Sequence, residues 1–563
     1  MSKRVNVSLV LLLLLFLSIG AVCASEDMGD TLADDETISD VSLSEDVISA
    51  PEDNEALSES TTHEIDIADY STYFNKNGNL ISPDVKSGDT LKFTGEWKGN
   101  NLNFDKTVNI VYSESKPMKN CVFTFYSGAN GSTITGLKIA NTADYSYGIF
   151  LNGACNCVIR DCFVNNTGQS SYAVCLANNA NYNNVTDSVF SAYGVTYGQG
   201  TRSTSPVLLC NAHHNYIANN RIESDDANAI YLSSYEGGPL EGGVSNYNLI
   251  YNNTIKYNVL PTSWAYGIQV MGGYNKIYSN TVIGAFRAIL TSNGAYNEIV
   301  NNRIINVTGA DYNHLGVEVG GEYGIVGTAY SIIKNNSIEN AKILSSYGAI
   351  YAGDNVIVEN NNIDVVLSGY GIQVSGSNVN IKNNNISTNS GSAIFWKGKC
   401  SNLVVTGNNI TSKTGVGILI NKESSKKMPA AVTITYNNIS TGNKYAIDAR
   451  DINASTTNII ENNYIPKGKG LIATPEGAYD PTKPRYNFNG TTYKVTPENY
   501  QDYFDDGGTL VSSSKDGDIL YFEGNFVNLG VIYINSAVKF TGNHPIFYNT
   551  TFRISSDGVW IEN

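Results

Sequence analysis

The sequence predicts an all-β protein, a parallel β-solenoid of about 13 coils, and three observations support this prediction. An apolar residue, a second apolar residue five positions later and then a strand that begins with Gly or Ala recur thirteen times between Ile134 and Ile465. An asparagine precedes most of the second apolar positions by two residues, and helical spacing of apolar residues hardly occurs. Units this short, without a helix, cannot bury their own apolar face and must stack on their neighbours.

The repeat defines the individual elements of each coil. Its second apolar position advances along the chain in steps of 22 to 34 residues. β-Branched residues in short runs, separated by Gly, Asn and Ser, predict strands on either side of a turn. These second apolar positions are Ile139, Phe163, Phe190, Ile222, Ile255, Val282, Ile304, Ile338, Ile363, Ile386, Ile410, Ile439 and Ile465.

The asparagines of the repeat predict a structural ladder. Asparagine tolerates left-handed backbone, and identical amides in successive coils can bond to one another along the solenoid axis. We interpret them as corner residues between two strands rather than as ligand-binding groups. The ladder consists of Asn220, Asn253, Asn280, Asn302, Asn336, Asn361, Asn384, Asn408, Asn437 and Asn463.

The phrases NNRI, NNTI, NNSI and NNNI resemble the right-handed parallel β-helix repeats of the pectate-lyase-like superfamily, over about residues 127–485. Within that superfamily, the Asn- and Tyr-rich, acidic version is most similar to adhesin-like surface proteins of methanogenic archaea. The resemblance implies a right-handed solenoid. It leaves the activity open, because lyases, hydrolases, epimerases and adhesins share the repeat.

The N-terminus predicts export. Lys3 and Arg4 precede an apolar run that ends at a small-residue cleavage site, so residues 1–24 are expected to be a signal peptide. The apolar run is short for a membrane span, and no second one follows, so we expect a mature chain outside the cell or on its surface, without a transmembrane span. Sequons such as Asn184-Val185-Thr186 are then possible glycan acceptors, although several overlap the ladder.

The charge distribution argues against nucleic acid as a partner. Residues 25–66 hold fifteen acidic residues and no Lys or Arg, which predicts a disordered acidic leader. The total net charge is −16, of which the signal contributes +2 and the leader −15, so the remainder carries only −3. A nearly neutral body lacks the basic face that follows phosphate groups. Glycans or proteins of the cell wall or of other cells are the expected partners, and the oligomeric state stays open.

A longer internal repeat predicts two modules. Tyr70, Phe74, Gly88 and Asp89 recur with their surroundings about 430 residues later, at Tyr500 and beyond. Solenoids need a cap over the open end of the stack. We therefore expect a cap module over residues 67–126, the β-helix over 127–485, and a second cap module with the start of a truncated second β-helix over 486–563.

No cofactor or metal is expected from the sequence. Six of the cysteines, Cys121 to Cys210, lie in the first coils, and buried thiols and disulfides between coils are equally compatible with them. Cys155 and Cys157 lack the spacing and the second pair of a structural zinc site.

A column of side chains on the strands led by Gly or Ala is the candidate binding surface. Alternation in a strand places the third residue of each such phrase outside. Aromatic rings and amides together suit saccharides, although an ordinary half-exposed sheet face also carries them. The glycan-binding candidates are Tyr231, Gln269, Glu318, Tyr351, Gln373 and Phe395.

Catalytic residues are only weakly indicated. Asp225 and Asp226, with His213, His214 and Arg221 nearby, resemble the paired aspartates of polygalacturonases, but the other motifs of that family are missing. Glu318 is the third weak catalytic candidate. Hydrolysis needs two carboxylates about 5 to 9.5 Å apart, which the column does not offer, and elimination needs a cation, of which the column has none.

Two classes of function therefore remain. The first is a non-catalytic, adhesin-like surface protein that binds glycans or neighbouring cells. The second is a secreted polysaccharide lyase, hydrolase or epimerase. A structural component of a cell wall or surface layer is a further alternative. The sequence favours a non-catalytic protein over an enzyme.

Overall fold

The computed structural model describes residues 60–193, 204–225, 227–234, 240–261, 265–309, 321–397, 401–421, 428–482, 488–511, 514–556 and 558–562. The signal peptide and most of the acidic leader lie outside these ranges. Within them the chain is an all-β parallel solenoid, which confirms the predicted fold class. The helices of the described ranges are single turns at Ile67–Asp69, Tyr70–Tyr73, Ser127–Ala129 and Tyr500–Asp502, so none is long enough to cross a bilayer.

Three long sheets form the sides of the main solenoid, and each coil adds one strand to a sheet. Sheet 1 contains Thr62–Ile65, Thr90–Phe93, Asn109–Tyr112, Thr133–Thr135, Val158–Arg160, Asn184–Thr186, Tyr216–Ala218, Leu249–Tyr251, Lys276–Tyr278, Glu298–Val300, Ile332–Lys334, Ile357–Glu359, Val379–Lys382, Ser401–Thr406, Ala430–Thr435 and Ile459–Glu461. Sheet 2 contains Met118–Lys119, Lys138–Asn141, Phe163–Asn166, Val189–Ala192, Arg221–Ser224, Thr254–Tyr257, Thr281–Ile283, Arg303–Ile305, Ser337–Ala341, Asn362–Val365, Asn385–Thr388, Asn409–Ser412 and Asn438–Thr441.

Sheet 3 forms the remaining side. It contains Asn101–Phe104, Val122–Tyr126, Tyr147–Asn152, Tyr172–Ala177, Ser205–Cys210, Ile230–Ser233, Tyr266–Met271, Arg287–Ser292, Tyr323–Gly327, Gly348–Ala352, Tyr370–Val374, Ile394–Lys397, Ile418–Asn421, Tyr445–Asp448, Leu471–Thr474 and Gly477–Tyr479. All neighbours in the three sheets pair in parallel except the last two strands of sheet 3, which form an antiparallel pair.

The C-terminal region forms two smaller sheets. One contains Thr492–Val495, Ile519–Phe522, Lys539–Gly542 and Trp560–Ile561, and the other contains Asn525–Ile534 and Ile546–Ile554. Both are parallel. These residues have their own apolar core, centred on Phe504, Phe522 and Phe526.

The coil count exceeds the predicted 13. Sheets 1 and 3 each contain 16 strands: residues 60–126 add three strands to sheet 1 and two to sheet 3, and the antiparallel strand Gly477–Tyr479 is the sixteenth of sheet 3. The sequence assigned residues 67–126 to a cap module, because they recur about 430 residues later, and residues 25–66 to a disordered leader. At the end of that leader, Thr62–Ile65 is instead the first strand of sheet 1. The strands of the cap module nevertheless pair in register with the next coil, for example Ile110 with Ile134.

The core is a stack of inward-facing aliphatic side chains. Ile159, Val185 and Ile217 pair in successive strands of sheet 1 and are fully buried. The predicted inward position Phe163 is wrong by one residue: Val164 pairs with Ile139 and is buried, whereas Phe163 is 41% exposed. Both residues are apolar, so the repeat alone does not fix the register of that strand.

In the middle coils of the main solenoid, two turns of each coil hold a residue with positive φ. The first turn, before the strand of sheet 1, defines the first turn column: Tyr182, His214, Tyr247, Tyr274, Tyr296, Tyr330, Asn355, Asn378 and Asn402. The second turn, between sheets 1 and 2, defines the second turn column: Asn219, Asn252, Ser279, Asn301, Asn335, Asn360, Asn383, Gly407, Tyr436 and Asn462. A left-handed residue at both corners lets each short coil close.

The asparagine ladder follows the second turn column by one residue. The backbone N–H of Asn302 donates to Oδ1 of Asn336 at 2.9 Å, and Nδ2 of Asn336 donates to the Ile299 carbonyl at 2.8 Å. The same pattern links the ladder from Asn220 to Asn463. A second buried ladder follows the first turn column and consists of Asn183, Asn215, Asn248, Asn275 and Asn297.

Candidate functional site on the outer face of sheet 3

The predicted surface column lies on sheet 3, with two differences in its membership. Strand register places Phe150, Cys175, Leu208, Tyr231, Gln269, Leu290, Val326, Tyr351, Gln373, Phe395, Leu419 and Asp448 on successive coils. The sequence pattern led by Gly or Ala also indicates Phe150, Cys175, Leu290, Leu419 and Asp448, but not Leu208, whose strand begins with Ser205. Val326 occupies the place that the sequence assigned to Glu318, which lies outside the described residues.

The column is less exposed than an open binding ledge. Gln269 is 8% exposed and accepts a hydrogen bond from Asn228 at 2.7 Å, and Phe395 is 7% exposed. Tyr231, Tyr351 and Gln373 are half-buried. Accessible groups of the column are therefore concentrated between Tyr231 and Gln373.

A charged and aromatic cluster lies beside this middle part, and we call it the Arg287 patch: Tyr266, Arg287, Glu322, Tyr323, Tyr347 and Tyr351. Tyr266, Arg287 and Tyr323 occupy equivalent positions in three successive strands, so the sheet itself stacks them. Nε of Arg287 donates to Glu322 Oε2 at 2.5 Å, and its Nη1 contacts the Tyr266 hydroxyl. The side chains of Arg287 and Glu322 are only 13% and 12% exposed.

Aromatic contacts join the patch to the column. The guanidinium of Arg287 lies 4.9 Å from the centre of the Tyr266 ring. The Tyr323 ring packs edge-on against Tyr347 and Tyr351, with centroid distances of 5.1 and 5.7 Å. Tyr351 in turn hydrogen-bonds Ser375. The result is a continuous tyrosine-rich surface around one paired cation.

Burial keeps the phenols of the patch protonated. It raises the pKa of Tyr323 and of Tyr266, and the neighbouring Glu322 carboxylate adds to the effect in both cases. Burial and then Glu322 raise the pKa of Tyr347 to about 12. For Arg287, burial lowers the pKa, but Tyr266 and Glu322 outweigh it and hold the pKa above its usual range. The patch thus offers phenol donors beside a permanent ion pair.

The patch places a cation beside the column. The column residues themselves include no Arg or Lys, as the sequence predicted, so Arg287 was not among the candidates. Arg287 is the first residue of its strand, three positions before Leu290 of the column. The strand of Arg287 begins with Arg-Ala, whereas the strands of Tyr266 and Tyr370 begin with Tyr-Gly. This difference in the sequence was the signal that could have identified Arg287.

The paired-aspartate grouping does not assemble among the described residues. Asp226 lies outside them, and Asp225 lies close enough to Tyr193 to raise the pKa of that phenol, after burial and Glu223. Arg221 is bound to Glu223 at 2.6 Å. The two histidines that were grouped with them have other contacts: His213 with Asn211, and His214 with two tyrosine rings.

Metal and disulfide sites were also considered in the sequence. No cluster of three or more His, Cys, Asp or Glu suitable for a metal occurs in the part of the chain that the structure describes. Cys121, Cys155, Cys157, Cys162, Cys175 and Cys210 are free thiols, and all but Cys155 are buried. Burial raises the pKa of the Cys157 and Cys162 thiols to about 12, so neither is a reactive thiolate at neutral pH.

Sequence comparison identifies the family. The model of the right handed beta helix region matches residues 120–304 and 306–428, more than half of the chain, and the chain belongs to this family. No curated protein sequence matches it.

Solved structures with a similar fold include polysaccharide-active enzymes. The alginate lyase AlyGC of family PL6 is 13% identical, with 89% of this chain and 72% of that one covered and a TM-score of 0.34. The catalytic domain of a GH87 α-1,3-glucanase in complex with tetrasaccharides is 15% identical, with 68% and 63% covered and a TM-score of 0.33. The mannuronan C-5 epimerase A-module of Azotobacter vinelandii is 10% identical, with 84% and 91% covered and a TM-score of 0.20.

The names of these proteins are those of a lyase, a glucanase and an epimerase. This chain spans just under two thirds of the length of the glucanase domain. TM-scores this low carry no argument about activity, and the similarity to archaeal adhesin-like proteins stays a prediction.

Proposed function

We propose that this chain is an extracellular polysaccharide-binding protein and that the Arg287 patch, with the middle of the sheet 3 column, holds the saccharide. The observation that carries the proposal is the Arg287–Glu322 pair, 13% and 12% exposed and surrounded by four tyrosines. The phenols of the patch give ring surfaces for sugar C–H groups and hydroxyls for sugar hydroxyls. The ion pair adds fixed, oriented donors and acceptors.

The charge balance favours a neutral or weakly acidic polymer. Arg287 is already paired with Glu322, so a sugar carboxylate gains little from it unless it displaces that partner. The body of the chain is also nearly neutral, because the acidic leader accounts for most of the net charge of −16. Long-range attraction of a polyanion is therefore weak.

Retention on immobilised polymers tests this proposal. The full chain is passed over xylan, β-glucan, alginate and polygalacturonate, and we expect retention on a neutral polymer. Tyr351→Ser removes a half-buried ring of the patch and should weaken retention about tenfold, by analogy with the cost of losing one aromatic contact. Tyr436→Ser is the matched control, because Tyr436 is 68% exposed and lies on another side of the coil. Equal loss in both variants, or no loss in Tyr351→Ser, would contradict the proposed site.

A lyase is the second candidate, and the Arg287–Glu322–Tyr347 arrangement is the observation that favours it. In β-elimination, the Glu322 carboxylate would take the proton next to the uronate carboxyl group while Arg287 neutralises that group. The electron pair of the broken C–H bond would form a C=C bond while the C–O bond to the leaving sugar breaks, and Tyr347, whose pKa is about 12, would give the leaving oxygen its proton.

Product release separates the two candidates. Unsaturated oligosaccharides from a uronate polymer, detected by mass spectrometry and lost in Glu322→Gln, would establish the lyase. Retention without products in the wild-type chain would leave the binding function. Glu322→Gln keeps the shape of the side chain and its hydrogen bonding to Arg287, so the variant tests charge rather than packing.

A further inference from the structure

Six consecutive members of the first turn column carry aromatic rings that stack on one another at the surface. The rings are those of Tyr182, His214, Tyr247, Tyr274, Tyr296 and Tyr330, and successive centroids lie 4.8 to 5.0 Å apart. Their planes differ by 2° to 19°. The five tyrosines are 46% to 52% exposed. We call this stack the aromatic column.

The fold itself does not require aromatic residues here. All six have φ between 57° and 61°, where a bulky side chain costs about 1 kcal/mol or more. Further along the same turn column, Asn355, Asn378 and Asn402 fill the equivalent positions and hydrogen-bond one another at 2.9 and 2.7 Å. Asparagine is the sterically favoured residue at such a position. Six strained, exposed rings in a row therefore point to a surface property rather than to folding.

The column presents edges and hydroxyls, not ring faces. Each inner ring is covered on both faces by its neighbours at about the closest distance that stacked rings adopt. A sugar ring, which packs against an aromatic face, finds none free along the column. Protein surfaces do use rigid tyrosine edges and hydroxyls, and a stack that is already ordered loses little entropy on binding.

We propose that the aromatic column is a contact surface for a second copy of this chain, with the two columns side by side. The column repeats at the spacing between neighbouring β-strands, so a second solenoid with the same rise meets it rung for rung, whereas an irregular globular surface does not. A two-fold arrangement of identical patches is also the commonest form of protein oligomer.

The exposed area matches a weak dimer. With roughly 200 Å² per tyrosine, five half-exposed rings leave about 500 Å² in one column, and two facing columns remove about 1,000 Å², the lower limit for a specific interface. The strand residues next to the column bring one positive and one negative charge, so they add no net repulsion. These residues are Asn184, Tyr216, Leu249, Lys276, Glu298 and Ile332.

Sedimentation velocity of the full chain over a wide concentration range tests the proposal. We expect a weak, reversible dimer with a measurable dissociation constant, because interfaces at the lower size limit belong to transient complexes. The triple variant Tyr247→Asn, Tyr274→Asn, Tyr296→Asn should raise that constant at least tenfold. It should also fold, because asparagine occupies the same turn position at Asn355 and beyond. Circular dichroism checks the fold.

Two further variants make the outcome unambiguous. The double variant Tyr436→Asn, Tyr464→Asn removes tyrosines that are 68% and 66% exposed elsewhere and should leave association unchanged. Asn355→Tyr with Asn378→Tyr lengthens the column and should tighten the dimer.

A wild-type chain that stays monomeric throughout, or a triple variant that associates like the wild type, would overturn the proposal. If the wild-type chain is monomeric and the triple variant loses retention on polysaccharide, the aromatic column binds a saccharide instead. That result would also overturn the proposal. The proposed function is judged separately, since its test uses Tyr351 and not the column.

Discussion

The two turn columns of the main solenoid meet the same backbone requirement with different residues. Both hold left-handed residues, and both are followed by buried asparagines that bond from coil to coil. The second turn column is filled mostly by asparagine, as the backbone favours, whereas six positions of the first carry rings. The difference separates the left-handed backbone, which both turns share, from the side chains that the surface adds.

Breaking a buried ladder should have the largest effect. Asn336→Ala removes the acceptor of the Asn302 N–H and the donor to the Ile299 carbonyl. Unsatisfied buried groups cost about 1–3 kcal/mol each, so the free energy of unfolding should fall by roughly 3–5 kcal/mol. Denaturation by urea, followed by circular dichroism, measures it.

A serine at the same place serves as the graded control. Ser188 occupies the equivalent position in an earlier coil, and its Oγ accepts from the Cys162 N–H at 3.0 Å. Asn336→Ser should therefore lose less than Asn336→Ala, roughly 2 kcal/mol. An alanine variant as stable as the wild type would show that the amides do not hold the coils together.

Placing one tyrosine in each turn column should have an effect of intermediate size on the free energy of unfolding. Asn355 and Asn335 have nearly the same φ, 57° and 56°. Asn335→Tyr has no ring beside it and should cost about 1 kcal/mol, whereas Asn355→Tyr stacks on Tyr330 and should recover roughly 0.5–1.5 kcal/mol of its strain. Denaturation midpoints of the two variants measure the difference. Equal losses would mean that ring stacking contributes nothing to the aromatic column.

Acidification should have the smallest effect on stability. The group concerned is His213, next to His214 of the aromatic column. Burial, and then His214, lowers the pKa of His213, and Nδ1 of His213 accepts from the Asn246 N–H at 3.2 Å. The unfolded imidazole therefore binds a proton first, so stability falls as the pH drops through about 6.5 and levels off below the lowered pKa. Denaturation midpoints between about pH 7.5 and pH 5 should show a small decline that His213→Asn flattens. A steeper decline in the variant would contradict this sign.

Much of the main solenoid follows from its sequence, because a short repeat constrains every coil in the same way. The asparagines that precede Ile255 or Ile386 mark the corners, and the aliphatic positions mark the inner face. Register is less certain where two apolar residues are adjacent, as at Phe163 and Val164. The first three strands of sheet 1 lack the repeat, and the sequence placed Thr62–Ile65 in the acidic leader and the other two in a cap module.

The surface was harder to predict than the core. Glu318 was placed on the column because its segment also begins with glycine, but Tyr323–Gly327 forms that strand. Arg287 was missed because its coil departs from the Tyr-Gly pattern. The sequence did contain a signal for the aromatic column. A Tyr or His stands three positions before an inward-facing aliphatic residue and is followed by a polar residue, as in Tyr274-Asn275-Lys276-Ile277.

The first coils of the main solenoid and of the C-terminal region repeat in atomic detail as well as in sequence. Asp89 accepts hydrogen bonds from the N–H groups of Thr61 and Lys86, and Asp518 accepts them from Thr491 and Lys515. Hydrogen bonds of this kind, including that from His63, lower the pKa of Asp89 although burial opposes them. Each copy thus starts its stack with the same aspartate-bound turn.

The coil-to-coil hydrogen bonding of the ladders also has an evolutionary consequence. Asn275 and Asn297 are bonded across a coil of only 22 residues, and each coil pairs only with the coil before it and the coil after it. Duplication of one such coil within a gene would insert a complete rung into three sheets, two ladders and the aromatic column without disturbing the others. The length of the sheets, the ladders and the aromatic column is therefore encoded in the number of coils, and duplication can change it one coil at a time.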